Sequence, residues 1–291
     1  MFKKVISLVL ALVMAMGVFA MNASAATDVV YGDVNKDGAI NAGDALEVLQ
    51  SSTGLKDLTN YNMAIADVNS DAKANSSDAL LILQYATGLV LSFNKDYANT
   101  LKATKIDPVF ANDAFTFSVA MEDESVGNFD MVFSTDGKSK AITSVINFQG
   151  ILPIDLSMLH TNGKNYQVVG AIDVEILGKK ERVEHTGTYC EIEENVDEIF
   201  DGYVRLFTSK AIFGSSVKRT VDGKEYVCET FYNEAGASFE YYFLNGKLAI
   251  ATISNNGTTQ TFKVTNLEKG VDASKLVIPS DYTEDDFFLK G

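Results

Sequence analysis

The sequence predicts two domains of different class. A small α-helical module made of a duplicated loop–helix unit comes first. A β-rich α+β domain, an antiparallel curved sheet with one or two helices, follows it. Three observations lead there. Two segments near the start repeat at an offset of 34 residues. From about residue 92 onward apolar and polar residues alternate with period two, punctuated by Asx-Gly pairs. The 291 residues, 46% hydrophobic and 22% charged, suffice for two folded domains and are unlike a disordered chain.

Composition narrows the function classes. Thirty-nine acidic residues against 24 basic ones give a net charge of −15. Nucleic-acid binding, which needs basic surface for phosphate, is excluded; metal binding or simple solubility fits. Two His, two Cys, three Pro and no Trp leave little for histidine-based catalysis or for sugar sites built on indole stacking.

Residues 1–25 read as a secretory signal. Lys3 and Lys4 form the positive start, Val5 to Ala20 the apolar run, and Ala23-Ser24-Ala25 the small-residue cleavage pattern. No later stretch is long and apolar enough to span a bilayer, so the expectation is a secreted protein acting outside the cell or in a cell-surface complex. Export permits disulfides. Cys190 and Cys228 lie in strand-like segments, and their spacing leaves a bridge and two half-buried thiols equally open.

The repeat carries the chemistry. Gly32–Leu55 and Ala66–Leu89 are identical at 13 of 24 aligned positions. In each, oxygen-bearing residues alternate in the way that lets a 12-residue loop curl around one cation, with ligands at positions 1, 3, 5, 7, 9 and 12. In the first loop these are Asp33, Asn35, Asp37, the carbonyl of Ala39, Asn41 and Asp44. In the second they are Asp67, Asn69, Asp71, the carbonyl of Lys73, Asn75 and Asp78. Hard oxygen donors in that number are calcium chemistry, so two calcium ions are expected. Asx-rich turns that merely cap helices account for one or two such positions, not for five side chains at the same spacing twice. Position 6, which needs a sharp turn, is Gly38 in loop one and Ala72 in loop two; position 8, which points inward, is Ile40 and Ala74.

Each loop runs into a helix ended by Gly54 or Gly88. Leu46, Leu49 and Thr53 share one face of the first, and Leu80, Leu83 and Thr87 the same face of the second. The pattern assigns two of those four leucines to the interior of the module. Leu58 to Ile65 suits a short connecting helix. Asp33 lies too close to the expected mature terminus at Ala26 for an entering helix, so the units are EF-hand-like but reduced to loop and exiting helix.

Over Tyr31 to Leu91 this pattern, D-V-N-x-D…N-x-x-D-A-L…L-Q…T-G-L, resembles the type I dockerin family. The resemblance implies a calcium-folded module that docks onto a cohesin domain of a scaffoldin, as in cellulosome-like complexes that break down polysaccharide. It further implies that cohesin contacts fall at Ala42, Gly43, Leu49 and Gln50 in the first repeat. The corresponding positions in the second are Ser76, Ser77, Leu83 and Gln84. The first repeat lacks the hydroxyls of the second, which disfavours interchangeable two-way docking.

The expected organisation is a signal at 1–25, a dockerin module at 26–91, a short linker at 92–100 and a cargo domain at 101–291. In the cargo, strands are expected at Ala114–Met121, Asn128–Ser134, Lys140–Phe148, Gln167–Ile176, Ser216–Val221, Lys224–Phe231, Ser238–Leu244, Lys247–Ser254 and Thr259–Thr265, with tight turns at Asp222-Gly223 and Asn245-Gly246. Val196, Ile199, Phe200, Tyr203, Val204 and Phe207 fall on helical spacing. The chain of hairpins ending in Leu276-Val277-Ile278-Pro279-Ser280-Asp281-Tyr282 is similar to bacterial lipoprotein-carrier (LolA-like) half-barrels. That resemblance implies a curved sheet able to hold something apolar, although packing of the sheet onto its helix explains the same residues and is favoured.

Catalytic signals are sparse. Ser215-x-x-Lys218 lacks the companion motifs of its chemistry. His160 and His185 have no nucleophile placed beside them in sequence. Glu191, Glu193, Glu194, Asp197 and Glu198 read as a solvated face. The sequence therefore favours a non-catalytic binding or structural cargo. The alternatives are a polysaccharide-active hydrolase carried by the dockerin, or a carrier of an apolar ligand.

Overall fold

The computed structural model describes residues 30–93, 107–123, 127–146, 154–170, 172–176, 179–184, 187–208 and 211–285. The expected signal at 1–25 and residues 94–100 of the expected linker lie outside the described residues. So do Phe148 and His185.

Three helices build the amino-terminal module: α1 (Ala42–Ser52), α2 (Asn60–Ala66) and α3 (Ser76–Ala86). Asn41 caps α1 and Asn75 caps α3, each in a capping box closed by Asp44 or Asp78. Thr59 caps α2. Beyond α1 and α3 the chain turns at Gly54 (φ +74°) and Gly88 (φ +75°). Val34, Ala45, Val48, Ile65, Val68, Ala79 and Ile82 fill the core between them.

The leucine stripe is not in that core. Leu46, Leu49, Leu80 and Leu83 are 55%, 38%, 57% and 36% exposed, whereas Ala45, Val48, Ala79 and Ile82 are at most 1% exposed. The expectation that two of the leucines pack inward is corrected. The reason is helical phase. Asp44 and Asp78 must face their loops, residues one and four positions further on share that face, and the leucines at two and five positions further on turn away.

Downstream, α4 (Asp107–Phe110) precedes strands β1 (Phe115–Asp123), β2 (Gly127–Thr135), β3 (Lys140–Ile146), β4 (Ile154–Thr161), β5 (Lys164–Val169), β6 (Ile172–Ile176), β7 (Lys179–Glu184) and β8 (Thr188–Glu191). Helix α5 (Val196–Thr208) follows, then β9 (Ile212–Val221), β10 (Lys224–Tyr232), β11 (Ser238–Leu244), β12 (Lys247–Asn255), β13 (Thr258–Lys269) and the short β14 (Thr283–Glu284). The fold class is as the sequence predicts: a helical module, then an antiparallel β-rich region with helices. Four hairpins close on Asn162-Gly163, Asp222-Gly223, Asn245-Gly246 and Asn256-Gly257. Every one of these residues has positive φ, as tight turns matched to strand twist require. The expected strand at Gln167–Ile176 is two strands. The chain leaves β5 at Gly170, whose N–H donates to the Asp155 carbonyl at 2.7 Å, and β6 pairs with β7 in a separate two-stranded sheet. Strands β4, β7 and β14 were not among those expected, whereas β8 falls on the strand-like segment around Cys190.

By packing, the described residues form two compact units. One draws on Ile106–Thr208 and Thr261–Gly291, the other on Ala23–Lys105 and Ser209–Gln260. In the first, strands run in the order β14-β8-β5-β4-β3-β2-β1-β13, antiparallel except for β14 beside β8. Phe133, Ile142, Met158, Gln167 and Cys190 form a cross-strand row on one face. Phe200 and Tyr203 of α5 pack against Phe133, with ring centroids 6.0 and 4.9 Å away. Ala141, Leu159 and Val168 pack with Leu276, Ile278 and Tyr282 of the carboxy-terminal tail. In the second unit β12-β11-β10-β9 form an antiparallel meander on which the helical module packs through α2. Cys190 and Cys228 are both buried and are not joined by a disulfide; burial pushes the Cys228 thiol up from its ordinary value.

Two core positions should respond in opposite directions. Phe200, 1% exposed among Phe115, Phe133 and Tyr203, should cost about 3–5 kcal/mol on replacement by Ala. Gln167 is 2% exposed and its Oε1 has no hydrogen-bond partner. Gln167→Met should therefore raise stability by about 1 kcal/mol, by removing an unsatisfied buried acceptor. Denaturant unfolding of the full-length variants reads both.

Candidate functional site

The two loops are built alike. In loop one, Asp33 accepts from the N–H groups of Asp37 and Gly38 at 3.1 and 3.0 Å. Asn35 Oδ1 accepts from Asp37 N–H and Asp37 Oδ1 from Ala39 N–H, both at 2.9 Å. In loop two, Asp67 accepts from Ser70, Asp71 and Ala72, Asn69 from Asp71, and Asp71 from Lys73. Each inward side chain thus organises the backbone two to five residues ahead of it, the local pattern that short Asx side chains favour.

The last carboxylate ties the loop to its helix. Asp44, fully buried, accepts from Val34 and Asn35 N–H at its Oδ1 (2.8 and 3.0 Å) and from Asn41 N–H at its Oδ2 (2.8 Å). Asp78, equally buried, accepts from Asn69 at 3.2 Å and Asn75 at 3.0 Å. In loop two the Val68 N–H instead donates to the Ala66 carbonyl. Position 9 has its oxygen engaged: Asn41 Oδ1 accepts from Gly43 N–H at 2.7 Å and Asn75 Oδ1 from Ser77 N–H at 2.8 Å. That leaves it suited to contacting an ion through water.

The residues fit calcium. Carboxylate oxygens of Asp67, Asp71 and Asp78 lie within 4.8 Å of one another. Oxygens sharing one calcium at about 2.3–2.6 Å can be no more than about twice that distance apart. Burial and the neighbouring Asp67 and Asp71 charges hold the Asp78 carboxyl above its ordinary range, against its backbone hydrogen bonds. Asp37 moves the other way, held low by the Ala39 N–H and then by the Asn35 amide. In loop one the Asn35 and Asn41 amides both donate to Asp37 Oδ2.

Strain separates the loops. Position 4 is left-handed in both, at Lys36 (φ +62°) and Ser70 (φ +69°). Position 6 is also left-handed in both, but Gly38 (φ +88°) takes it freely whereas Ala72 (φ +66°) carries a Cβ there. Ile40 and Ala74 both pack against the module core, the isoleucine with far more apolar surface.

The residues expected to meet a partner lie on α1 and α3 and their caps. Ala42, Leu49, Ser76, Ser77 and Leu83 are exposed, and Gly43, Gln50 and Gln84 are half-buried. Leu46 and Leu80, not among those expected, stand more exposed than Leu49 and Leu83 and extend the same apolar face. Their spacing within the repeat was the available signal.

Among the described residues, several of those weighed for catalysis are engaged elsewhere. Ser215 and Lys218 are three residues apart on β9, an odd offset that puts them on opposite faces. Lys218 pairs with Glu225 at 2.8 Å. His160 Nδ1 is hydrogen-bonded to Asn165 Oδ1. Glu191 pairs with Lys164, and Asp197 with Lys140.

Duplicated loop–helix units, with carboxylates converging in the second, define the class of this module: a paired, EF-hand-like calcium fold. Residues 31–85 match the model of the dockerin type I domain family, and the module is a dockerin of that type. Dockerin domains bind calcium. No curated protein matches the chain. Among solved structures the chain is similar to an uncharacterized conserved protein from Thermus thermophilus, at 6% identity over 65% of this chain and 99% of that one, with a TM-score of 0.34. It is also similar to a DUF1329 family protein from Desulfovibrio piger, at 10% identity over 62% of this chain and 96% of that one, with a TM-score of 0.21.

The two loops should differ in affinity. Left-handed strain at Ala72 costs about 1–2 kcal/mol and the smaller Ala74 about 1 kcal/mol more. Asp33–Asp44 should therefore bind calcium at least about tenfold more tightly than Asp67–Asp78. Titration calorimetry on Asp33→Ala and Asp67→Ala isolates each site, and Ala72→Gly should recover about fivefold at the second, roughly 1 kcal/mol. Equal affinities would refute the strain argument. Protons compete with calcium for the same carboxylates, and a raised pKa means protonation begins at higher pH. On acidification the second loop should lose calcium before the first, read by the same titration at stepped pH.

Proposed function

We propose that the chain is a secreted component of a scaffoldin-based extracellular complex that degrades polysaccharide. In this reading both loops are loaded with calcium, the dockerin docks on a cohesin, and the β-rich region is a non-catalytic binding or structural module. The observation that carries the docking reading is the leucine face: two helices related by the repeat each present an outward pair, Leu46 and Leu49 or Leu80 and Leu83. Exposed apolar side chains grouped on a small acidic module are what a partner surface requires. The adjoining Gln50, Gln84, Ser76 and Ser77 supply the polar rim. Hydroxyls at the two helix starts are present only at Ser76-Ser77, which favours one docking orientation over its half-turn alternative.

Support for the site of action is the apolar, lysine-led start of the sequence. Among the described residues no helix is long and apolar enough to cross a membrane. Support for the non-catalytic reading of the β-rich region is the engagement of Lys218, His160, Glu191 and Asp197 in the pairs described above.

Binding of the full chain to a panel of type I cohesins, by surface-immobilised titration, tests the docking reading. Leu49→Asp and Leu83→Asp should each weaken binding by about thirtyfold, the effect of losing a central anchor worth about 2 kcal/mol, and chelation should abolish it. Unchanged binding by both variants would exclude the leucine face.

A further inference from the structure

The side of the module away from the leucines is occupied by the chain itself. Helix α2 packs on β9 and β10, and Ile212 and Tyr232 join the module's own hydrophobic core. Tyr31 is hydrogen-bonded to the Phe213 backbone. Lys36, at position 4 of loop one, forms an ion pair with Glu234 just beyond β10 and sits 4.6 Å from the centre of the Tyr61 ring. Loop two borders the same surface. Asp67, Ala72 and Ala74, at positions 1, 6 and 8, face Gly214, Ser215 and Tyr232 across a cavity of about 340 Å³. Gly214 lets the Tyr232 ring lie against β9, since a Cβ there would lie 2.4 Å from that ring.

We propose that this surface is the seat of the β9–β10 hairpin, and that calcium binding stabilises the hairpin together with the loops. The inference rests on the reading of the loops as calcium sites. Without the ion, three carboxylates held within 4.8 Å repel one another, and residues 26–91 carry nine acids against three lysines. The backbone that this repulsion loosens is the same backbone, from Asp67 to Ala74, that walls the cavity under Tyr232. A ligand that binds only the folded form stabilises whatever unfolds together with its site. Elements that share a core open together, and Ile212 and Tyr232 share the module's core. The ion pair at Lys36 is too exposed to supply the coupling by itself, so the packed residues must carry it.

Hydrogen–deuterium exchange of the full chain, in saturating calcium chloride and in chelator, tests this. The expected result is that calcium slows the amides of 212–216 and 226–232 tenfold or more, in parallel with loops 33–44 and 67–78. Tyr232→Ala should remove the hairpin's response and leave that of the loops. If the loops slow and the hairpin does not, the coupling is overturned while the calcium reading stands. If neither responds, both fail. A hairpin response undiminished in Tyr232→Ala overturns the seating as its cause. The wild-type comparison decides by itself if that variant does not fold.

Discussion

The module is organised around two carboxylates that are out of contact with solvent. Asp44 and Asp78 each accept backbone N–H groups from both ends of their loop, at the start of a helix whose dipole favours negative charge. A buried carboxylate is costly unless paired, and here the pairing is with the chain's own amides, leaving the remaining lone pairs to the cation proposed above. That single requirement fixes where the loop closes, where the helix begins and which face of the helix turns inward.

Helical phase follows from it. With Asp44 and Asp78 facing the loops, the small Ala45 and Ala79 and the branched Val48 and Ile82 become the interior, and the α1 and α3 backbones can approach closely. Leu46, Leu49, Leu80 and Leu83 are then carried to the surface although they are among the most apolar residues on those helices. An apolar face left outside in this way is what the docking reading proposed above uses.

Part of the module's remaining surface is covered by the chain itself. Helix α2 and loop two lie against β9 and β10, where Tyr232 and Ile212 complete the core. The module thus has an exposed apolar face on the exiting helices and a covered one on the connecting helix. Elsewhere, in the β1–β8 unit, α5 follows a simpler rule. Val196, Phe200 and Tyr203 are its buried stripe, and burial alone drives the Tyr203 phenol far above its ordinary range.

The loops were legible in the sequence because their chemistry is local. Ligand spacing, the left-handed turn at position 6, the Asn caps and the Asx-Gly hairpins each depend on a few consecutive residues. The α5 face, at helical spacing from Val196, and most of the strands could be read from periodicity for the same reason. Strand β4 carries the same alternation, Asp155 and Ser157 between Ile154, Leu156 and Met158, whereas β7, Lys179–Glu184, is almost wholly charged, so its pairing partner decides its state. The outward turn of the leucines was equally hidden, because an amphipathic pattern gives the faces of a helix but not which one meets the core. Nor could the sequence place Tyr232 and Ile212 beside α2, more than 140 residues away. Residues so distant in sequence meet only through the tertiary fold, and that fold settles which surfaces of the calcium module stay open to a partner.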